Sequence, residues 1–323
     1  MNPSDLLEVI KDDLSQVEVE IQKHLQTDIP LLNELSAYIL DSGGKRLRPA
    51  ILILAGRMFN CTGSSIHVAA AAVEFLHTAT LLHDDVVDDA DTRRGRPAAR
   101  KVWGNPASVL VGDYLLATSF RSLTHLQDHD VLDTISHTTA LMAKGEILQL
   151  LRRIDTATEE DYMAIILHKT ACLFGAAARI GGALGGADDT QRKALYDYGN
   201  DLGIAFQIVD DALDYEPERE KVGKPLGIDL KEKKVTLPLS RLLKVAQGDD
   251  LQQLTEVVGH EEITDADVAL VVEMMGRYDV LPYTLGEAAR FARQAGEALA
   301  ALPDTPERAM LASICDIVVE RKY

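Results

Sequence analysis

Cysteine is scarce in this chain of 323 residues. Cys61, Cys172 and Cys315 stand far apart, odd in number and without a Cys-x-x-Cys pair, which excludes a disulfide framework and a thiolate metal centre and points to a reduced, cytoplasmic compartment. Long apolar runs are lacking as well. No stretch of about eighteen apolar residues occurs, so no transmembrane segment is expected. The first residues, Met1-Asn2-Pro3-Ser4-Asp5-Leu6-Leu7-Glu8, are acidic and amphipathic where a signal peptide would be basic and then apolar. Positive charge is in deficit, with 33 Lys and Arg against 51 Asp and Glu and a net charge of −18. That argues against nucleic acid and anionic membranes as partners, though not against a local basic pocket. Strand signals are missing too: nothing alternates with period two for long, and no Asn-Gly or Asp-Gly turn appears.

What is present is helix after helix. Hydrophobic residues make up 46% of the chain, enough for a sizeable core. Leu6, Leu7, Ile10, Leu14, Val17, Ile21 and Leu25 recur at three- and four-residue spacing and predict a helix over 3–26. Pro30 starts another over 31–41, the break at Asp41-Ser42-Gly43-Gly44 leads to a buried segment over 50–59, and Gly63-Ser64-Ser65 opens a helix over 65–89. Further helices are expected over 106–126, 130–152, 159–183 and 189–216. A Lys-, Gly- and Pro-containing loop at 217–235 and five shorter helices to Val319 complete the chain. The class is all-α. With no disordered linker and no fixed repeat, residues 1–323 are expected to form a single domain.

Residues 75–95 organise the rest. An apolar helix runs into Asp84, Asp85 and Asp88, then reaches Arg93 and Arg94 a few residues on. Asp84 and Asp88 stand one turn apart on one face, with Asp85 about 100° round from Asp84. Acidic residues favour helix N-termini, whereas these sit at a C-terminal end, where they cost stability. Close carboxylates repel unless a cation lies between them, and hard oxygen ligands select magnesium or manganese. Asp210, Asp211 and Asp214 repeat the Asp-Asp-x-x-Asp spacing at the end of a second apolar helix. If the two helices pack side by side, six carboxylates line a central cavity.

Cations cluster beside both motifs. Lys45, Arg46 and Arg48 follow a Gly-Gly pair, Arg93 and Arg94 follow the first motif, and Lys224, Lys231, Lys233 and Lys234 follow the second. In so acidic a chain this grouping suggests a metal-bridged polyanion, and arginine forks match phosphate oxygens. Lys169-Thr170 inside a helix adds a further candidate contact.

The motifs Gly43-Gly44-Lys45-Arg46-Leu47-Arg48-Pro49, Leu82-His83-Asp84-Asp85-Val86-Val87-Asp88, Arg93-Arg94-Gly95, Gly145-Glu146-Ile147-Leu148-Gln149, Lys169-Thr170 and Phe206-Gln207-Ile208-Val209-Asp210-Asp211-Ala212-Leu213-Asp214 together resemble the trans-isoprenyl diphosphate synthases, the polyprenyl synthetase family. The resemblance covers nearly the whole chain and is strongest to long-chain bacterial enzymes of the octaprenyl type. It implies a helical bundle of the isoprenoid synthase type with a central active-site cavity, and a homodimer. It also implies about three Mg2+ ions, or Mn2+, bound by Asp84, Asp88 and Asp210, with Asp85, Asp211 and Asp214 in support. Arg93, Lys169, Thr170, Gln207, Lys224 and Lys234 would hold the diphosphate of an allylic primer such as farnesyl diphosphate. Lys45, Arg48, His77 and Arg94 would hold isopentenyl diphosphate. His77, seven residues before Asp84, lies on the same face about 10 Å away. One departure is Lys233, at a position the family usually fills with glycine, which puts the local loop conformation in question.

The implied chemistry is metal-assisted ionisation of the allylic diphosphate followed by attack of the isopentenyl double bond, with apolar helix walls excluding water. Small residues at Ala79 and Thr80, where short-chain members carry aromatics, leave room for a long product. Val73, Ala70 and Ala69 continue the line down to about Ser65, a channel of about 30 Å suited to about forty carbons. Leu141, Met142 and Phe120 are candidates for its floor. Alternatives are a C15–C20 synthase, a terpene cyclase, a metal phosphohydrolase suggested by His83-Asp84, and a non-catalytic partner subunit. The cyclase would not need Lys45, Arg48 and His77; the hydrolase would need more histidines; a partner subunit usually lacks one aspartate motif.

Overall fold

A computed structural model describes residues 8–40, 46–216 and 226–321. Among these, every regular element is helical apart from one two-stranded hairpin. The described residues divide into two compact units, one drawn from within 1–139, 176–196 and 301–311, the other from within 140–175, 197–300 and 312–323.

The first unit is built on the helix Ser64–Val87, whose residues Ala69, Ala70, Ala71 and Ala72 are buried. Small side chains let neighbouring helices approach closely. Ser119 on the helix Asn105–Thr124 donates a 2.7 Å hydrogen bond to the Ala72 carbonyl, and a methyl group added at Gly112 would overlap the His83 ring. The helix Leu47–Met58 is buried over Pro49 to Gly56, as the apolar run predicts. It presses its Leu52 carbonyl against Gly181, leaving no space for a Cβ there. The first helix is seen over Lys11–Leu25, with Val17, Ile21 and Leu25 buried. Residues 3–7 of its expected span lie outside the described residues.

The second unit holds two apolar clusters. One gathers Tyr215, Leu230, Leu239, Leu254, Val271 and Met274, the other Tyr162, Ile165, Ile204, Ile208, Leu213 and Leu237. Helix starts are set locally: Thr158 with Asp161, and Thr264 with Asp267, form reciprocal capping boxes that satisfy otherwise orphaned backbone N–H groups. Two helices, Ser64–Val87 and Glu159–Leu184, have the length and apolarity to cross a membrane, and most of each is buried inside the protein.

Three local departures from the expected elements bear on function. The expected helix over 159–183 contains a π-helical stretch, Leu167–Ala171. Residues 92–97 form a hairpin pairing Thr92 with Pro97 and Arg93 with Arg96. Its central residues Arg94 and Gly95 have φ of 52° and 77°, which is the type I′ pattern. The expected loop at 217–235 holds a one-turn helix, Ile228–Lys231, and its residues 217–225 lie outside the described residues.

Candidate functional site

In the first unit, the helix Ser64–Val87 delivers Asp84 and Asp85 in its last turn and stops at Asp88, its C-cap. The stop is firm. Asp88 N–H donates to the Asp84 carbonyl at 2.8 Å, Ala90 N–H donates back to the Asp85 carbonyl at 3.0 Å, and Asp89 adopts a left-handed φ of 51°, a Schellman-like ending without glycine. Asp84 and Asp88 are partly exposed, whereas Asp85 is wholly buried. Arg93, returned by the hairpin, donates to Asp85 Oδ1 from Nε at 2.8 Å and from Nη2 at 2.5 Å. Asp85 Oδ2 is buried without a hydrogen-bond partner.

His83, adjacent to Asp84, lies 3.2 Å from the Val109 carbonyl through Nε2 and fits over Gly112, so the motif is braced from the helix Asn105–Thr124. Nearby, burial lowers the His77 pKa well below the usual histidine value, and Arg48, Arg94, Arg93 and Arg46 add to the effect. His77 is therefore a neutral ring in a strongly cationic neighbourhood. Arg46 itself is held by Glu18 at 2.8 Å and by the buried Glu74 at 2.5 Å, which makes it a structural member of the group. Lys45 lies outside the described residues. Thr80 Oγ1 donates to the His77 carbonyl at 2.8 Å, and Ala79 is buried.

In the second unit, the helix Asp189–Leu213 ends on the second motif. Asp210 is exposed, Asp211 and Asp214 are buried. Thr170 Oγ1 donates to Gln207 Oε1 at 3.0 Å and Gln207 Nε2 donates to Asp211 Oδ1 at 2.7 Å, a relay that fixes the glutamine amide. Thr170 and Lys169 both sit on the π-helical stretch, a distortion frequent at functional sites. Its backbone is pressed by Gly145, where a Cβ would come within 2.6 Å of the Lys169 nitrogen. Lys169 Nζ pairs with Glu146 at 2.7 Å. Burial, with Asp210 and Asp214 adding like charge against the Gln207 hydrogen bond, pushes Asp211 up to about 7.

The sequence reading missed a seventh carboxylate. Asp229 N–H donates to Asp214 Oδ2 at 2.9 Å, and burial followed by the charges of Asp211 and Asp214 raises the Asp229 pKa well above the usual range, with Lys234 opposing. Its signal was the run Asp229-Leu230-Lys231-Glu232-Lys233-Lys234 itself. Lys234 pairs with Glu232 at 2.6 Å, while Lys233 takes the left-handed φ of 55° that a glycine would adopt there. Tyr162, wholly buried beside Asp211, and Arg321, 3.1 Å from Asp210, also went unread. Lys224 lies outside the described residues. Among the described residues, no three His, Cys, Asp or Glu side chains converge as a ready-made metal cage.

Comparison with known proteins gives the family. A family model described as polyprenyl synthetase matches residues 29–275. The chain is 41% identical over 322 residues to octaprenyl diphosphate synthase of Escherichia coli strain K12, covering 99% of each. Among solved structures it resembles a decaprenyl diphosphate synthase from Rhodobacter capsulatus, with a TM-score of 0.94, 40% identity and 98% of each chain covered. It also resembles a polyprenyl synthase from Caulobacter crescentus CB15 complexed with calcium and isoprenyl diphosphate, with a TM-score of 0.95, 37% identity, and coverage of 100% and 98%. Two aspartate motifs at helix ends, the cations braced beside them and these full-length likenesses have one reading: the chain belongs to the polyprenyl synthetase family of trans-prenyl diphosphate synthases and is a transferase.

Proposed function

We propose that this prenyltransferase adds successive isopentenyl diphosphate units to an allylic diphosphate primer, farnesyl diphosphate being the primer of choice, and releases a long-chain product of the octaprenyl class. The observation that carries the reading is the pair of Asp-Asp-x-x-Asp motifs, each ending a core helix with cationic side chains at hand. The donor set fits Mg2+ or Mn2+: the groups offered are carboxylate oxygens, hard ligands suited to such ions. In support, Asp85 Oδ2 is a buried oxygen without a partner. Asp84, Asp88 and Asp210 would hold the ions, with Asp85, Asp211 and Asp214 in support. Bound ions supply Lewis-acid charge to the leaving diphosphate.

The chain's own side chains do the rest. Arg93, Lys169, Lys224 and Lys234 neutralise the allylic diphosphate as charge develops on it, while Thr170 and Gln207 orient it. Lys45, Arg48, Arg94 and the neutral His77 seat isopentenyl diphosphate. Buried apolar helix faces keep water from the allylic carbocation; the isopentenyl double bond attacks it to form the new C–C bond, and the cation so formed passes its C2 proton to the released pyrophosphate. No side-chain nucleophile is needed.

A homodimer with a single catalytic domain per chain suits the exposed apolar side chains, Val109 and Leu110 on one helix, Ile147, Leu150 and Leu151 on another, since unpaired apolar faces mark interfaces. Sedimentation giving a stable monomer at micromolar concentration would remove the dimer. The three cysteines are free thiols, as the reducing cytoplasm would keep them. The deciding experiment incubates the purified protein with Mg2+, farnesyl diphosphate and labelled isopentenyl diphosphate and separates the products by length. A ladder ending near the octaprenyl product is expected. No incorporation, or incorporation that stops after one addition, rejects the reading.

A further inference from the structure

The C-terminal helix Pro306–Val319 ends two residues before Arg321, whose guanidinium reaches the second aspartate motif. Its Nη1 stands 3.1 Å from Asp210 Oδ1, and its Cζ lies 5.1 Å from the centroid of the Phe206 ring, one turn before Asp210 on the same helix. The Arg321 side chain is 22% exposed. Even so, its Nε and Nη1 are buried without a hydrogen-bond partner. A lasting arginine–carboxylate pair makes short, aligned N–H···O bonds, as Arg93 does to Asp85. The Arg321 pair lacks them and rests on charge attraction and stacking on the ring. It stands at a cluster of carboxyl groups, with Asp211 next to Asp210, Asp214 one turn on and the Asp229 N–H donating to Asp214 Oδ2 at 2.9 Å, and carboxylates so placed need a cation. An ion pair with that geometry is readily exchanged.

We propose that Arg321 is a placeholder cation: it neutralises Asp210 until a divalent ion takes the carboxylate, so the C-terminal segment competes with metal for the second motif and is released when metal enters. The proposal rests on Asp210 being a metal ligand. If Arg321 occupies Asp210 nine-tenths of the time, apparent metal affinity is reduced about tenfold, because only the unblocked fraction binds.

The test measures Mn2+ binding to the full-length, metal-free protein by the electron paramagnetic resonance signal of free Mn2+, without diphosphate. Arg321→Ala should bind Mn2+ about threefold to tenfold more tightly than wild type. Arg321→Lys, which keeps the charge but loses the planar stack, should fall between them and serves also if the alanine variant folds poorly by circular dichroism. In the Asp210→Asn background, Arg321→Ala should change nothing. Binding by Arg321→Ala that equals or falls below wild type, while Asp210→Asn binds weakly, overturns the placeholder alone. Wild-type binding by Asp210→Asn overturns the metal-ligand assignment beneath it.

Discussion

At the scale of single residues, charge placement carries the reading. Asp84 and Asp88 keep partly exposed carboxylates while Asp85 is spent on Arg93. If Asp84 and Asp210 hold metal as we propose, replacing either by Asn removes one ligand charge from a preorganised site and should raise the barrier by about 3 kcal/mol, a hundredfold or more in turnover. Folding should persist, because less aspartate repulsion remains; near-normal turnover by either variant would remove its assigned role. Asp201 offers a separate test, of stability. Burial and then the neighbouring Asp197 raise its pKa from 3.8 to about 6, with Arg290 opposing. The folded state therefore holds this proton more tightly than the unfolded chain, so the stabilisation is full below pH 3.8 and lost as pH rises through about 6. Asp201→Asn removes the charged form, and thermal melts should show it more stable than wild type by about 1 kcal/mol at neutral pH after allowance for partial exposure, with little difference at about pH 4. Equal gains at both pH values would mean that something other than this carboxylate's charge is responsible.

At the scale of elements, long helices were the most legible part. The buried run in Leu47–Met58 and the motif helix Ser64–Val87 follow their apolar patterns closely. What stayed hidden depends on backbone choices that composition does not announce. The Arg94-Gly95 turn lacks the usual Asn or Asp, and only the structure reveals that it folds Arg93 back on Asp85. Lys233 adopts glycine's conformation despite its side chain, which Nζ anchors on the His260 carbonyl at 2.6 Å. Asp229 and Tyr162 join Asp211 only through tertiary packing, which no spacing in one segment can show. The π-helical stretch was invisible for the same reason, since its extra residue is accommodated by contact with Gly145. That contact predicts that Gly145→Ala, whose Cβ would collide with the backbone at His168 and Lys169, will lose about 1–3 kcal/mol of stability as overpacking does. Because Lys169 and Thr170 ride on the displaced segment, the proposed contact of both with the allylic diphosphate predicts that KM for that substrate rises as well. A variant that melts like wild type and keeps its KM would mean that the segment yields freely.

At the scale of the whole molecule, product length is where this chain's identity within its family is decided, since its likenesses include both octaprenyl and decaprenyl synthases. The helix Ser64–Val87 carries small side chains below its aspartates: Thr80, turned to the His77 carbonyl, then Ala79, Val73, Ala70 and Ala69, the last four buried. If the growing chain follows this helix, its length over some twenty residues, about 30 Å, matches a product of about forty carbons. A phenyl ring at position 79 would stand just above that line. Ala79 is buried, so Ala79→Phe must push apolar neighbours aside and should cost about 1–3 kcal/mol of stability, which a melt measures independently of activity. The aspartates one turn on are untouched, so the first condensations should proceed at near wild-type rate while the product distribution shifts to shorter chains. Thin-layer separation of labelled products reads both quantities at once. A folded Ala79→Phe enzyme that still makes the full wild-type length would show that the chain grows along another face, and the search would move to Leu141, Met142 and Phe120.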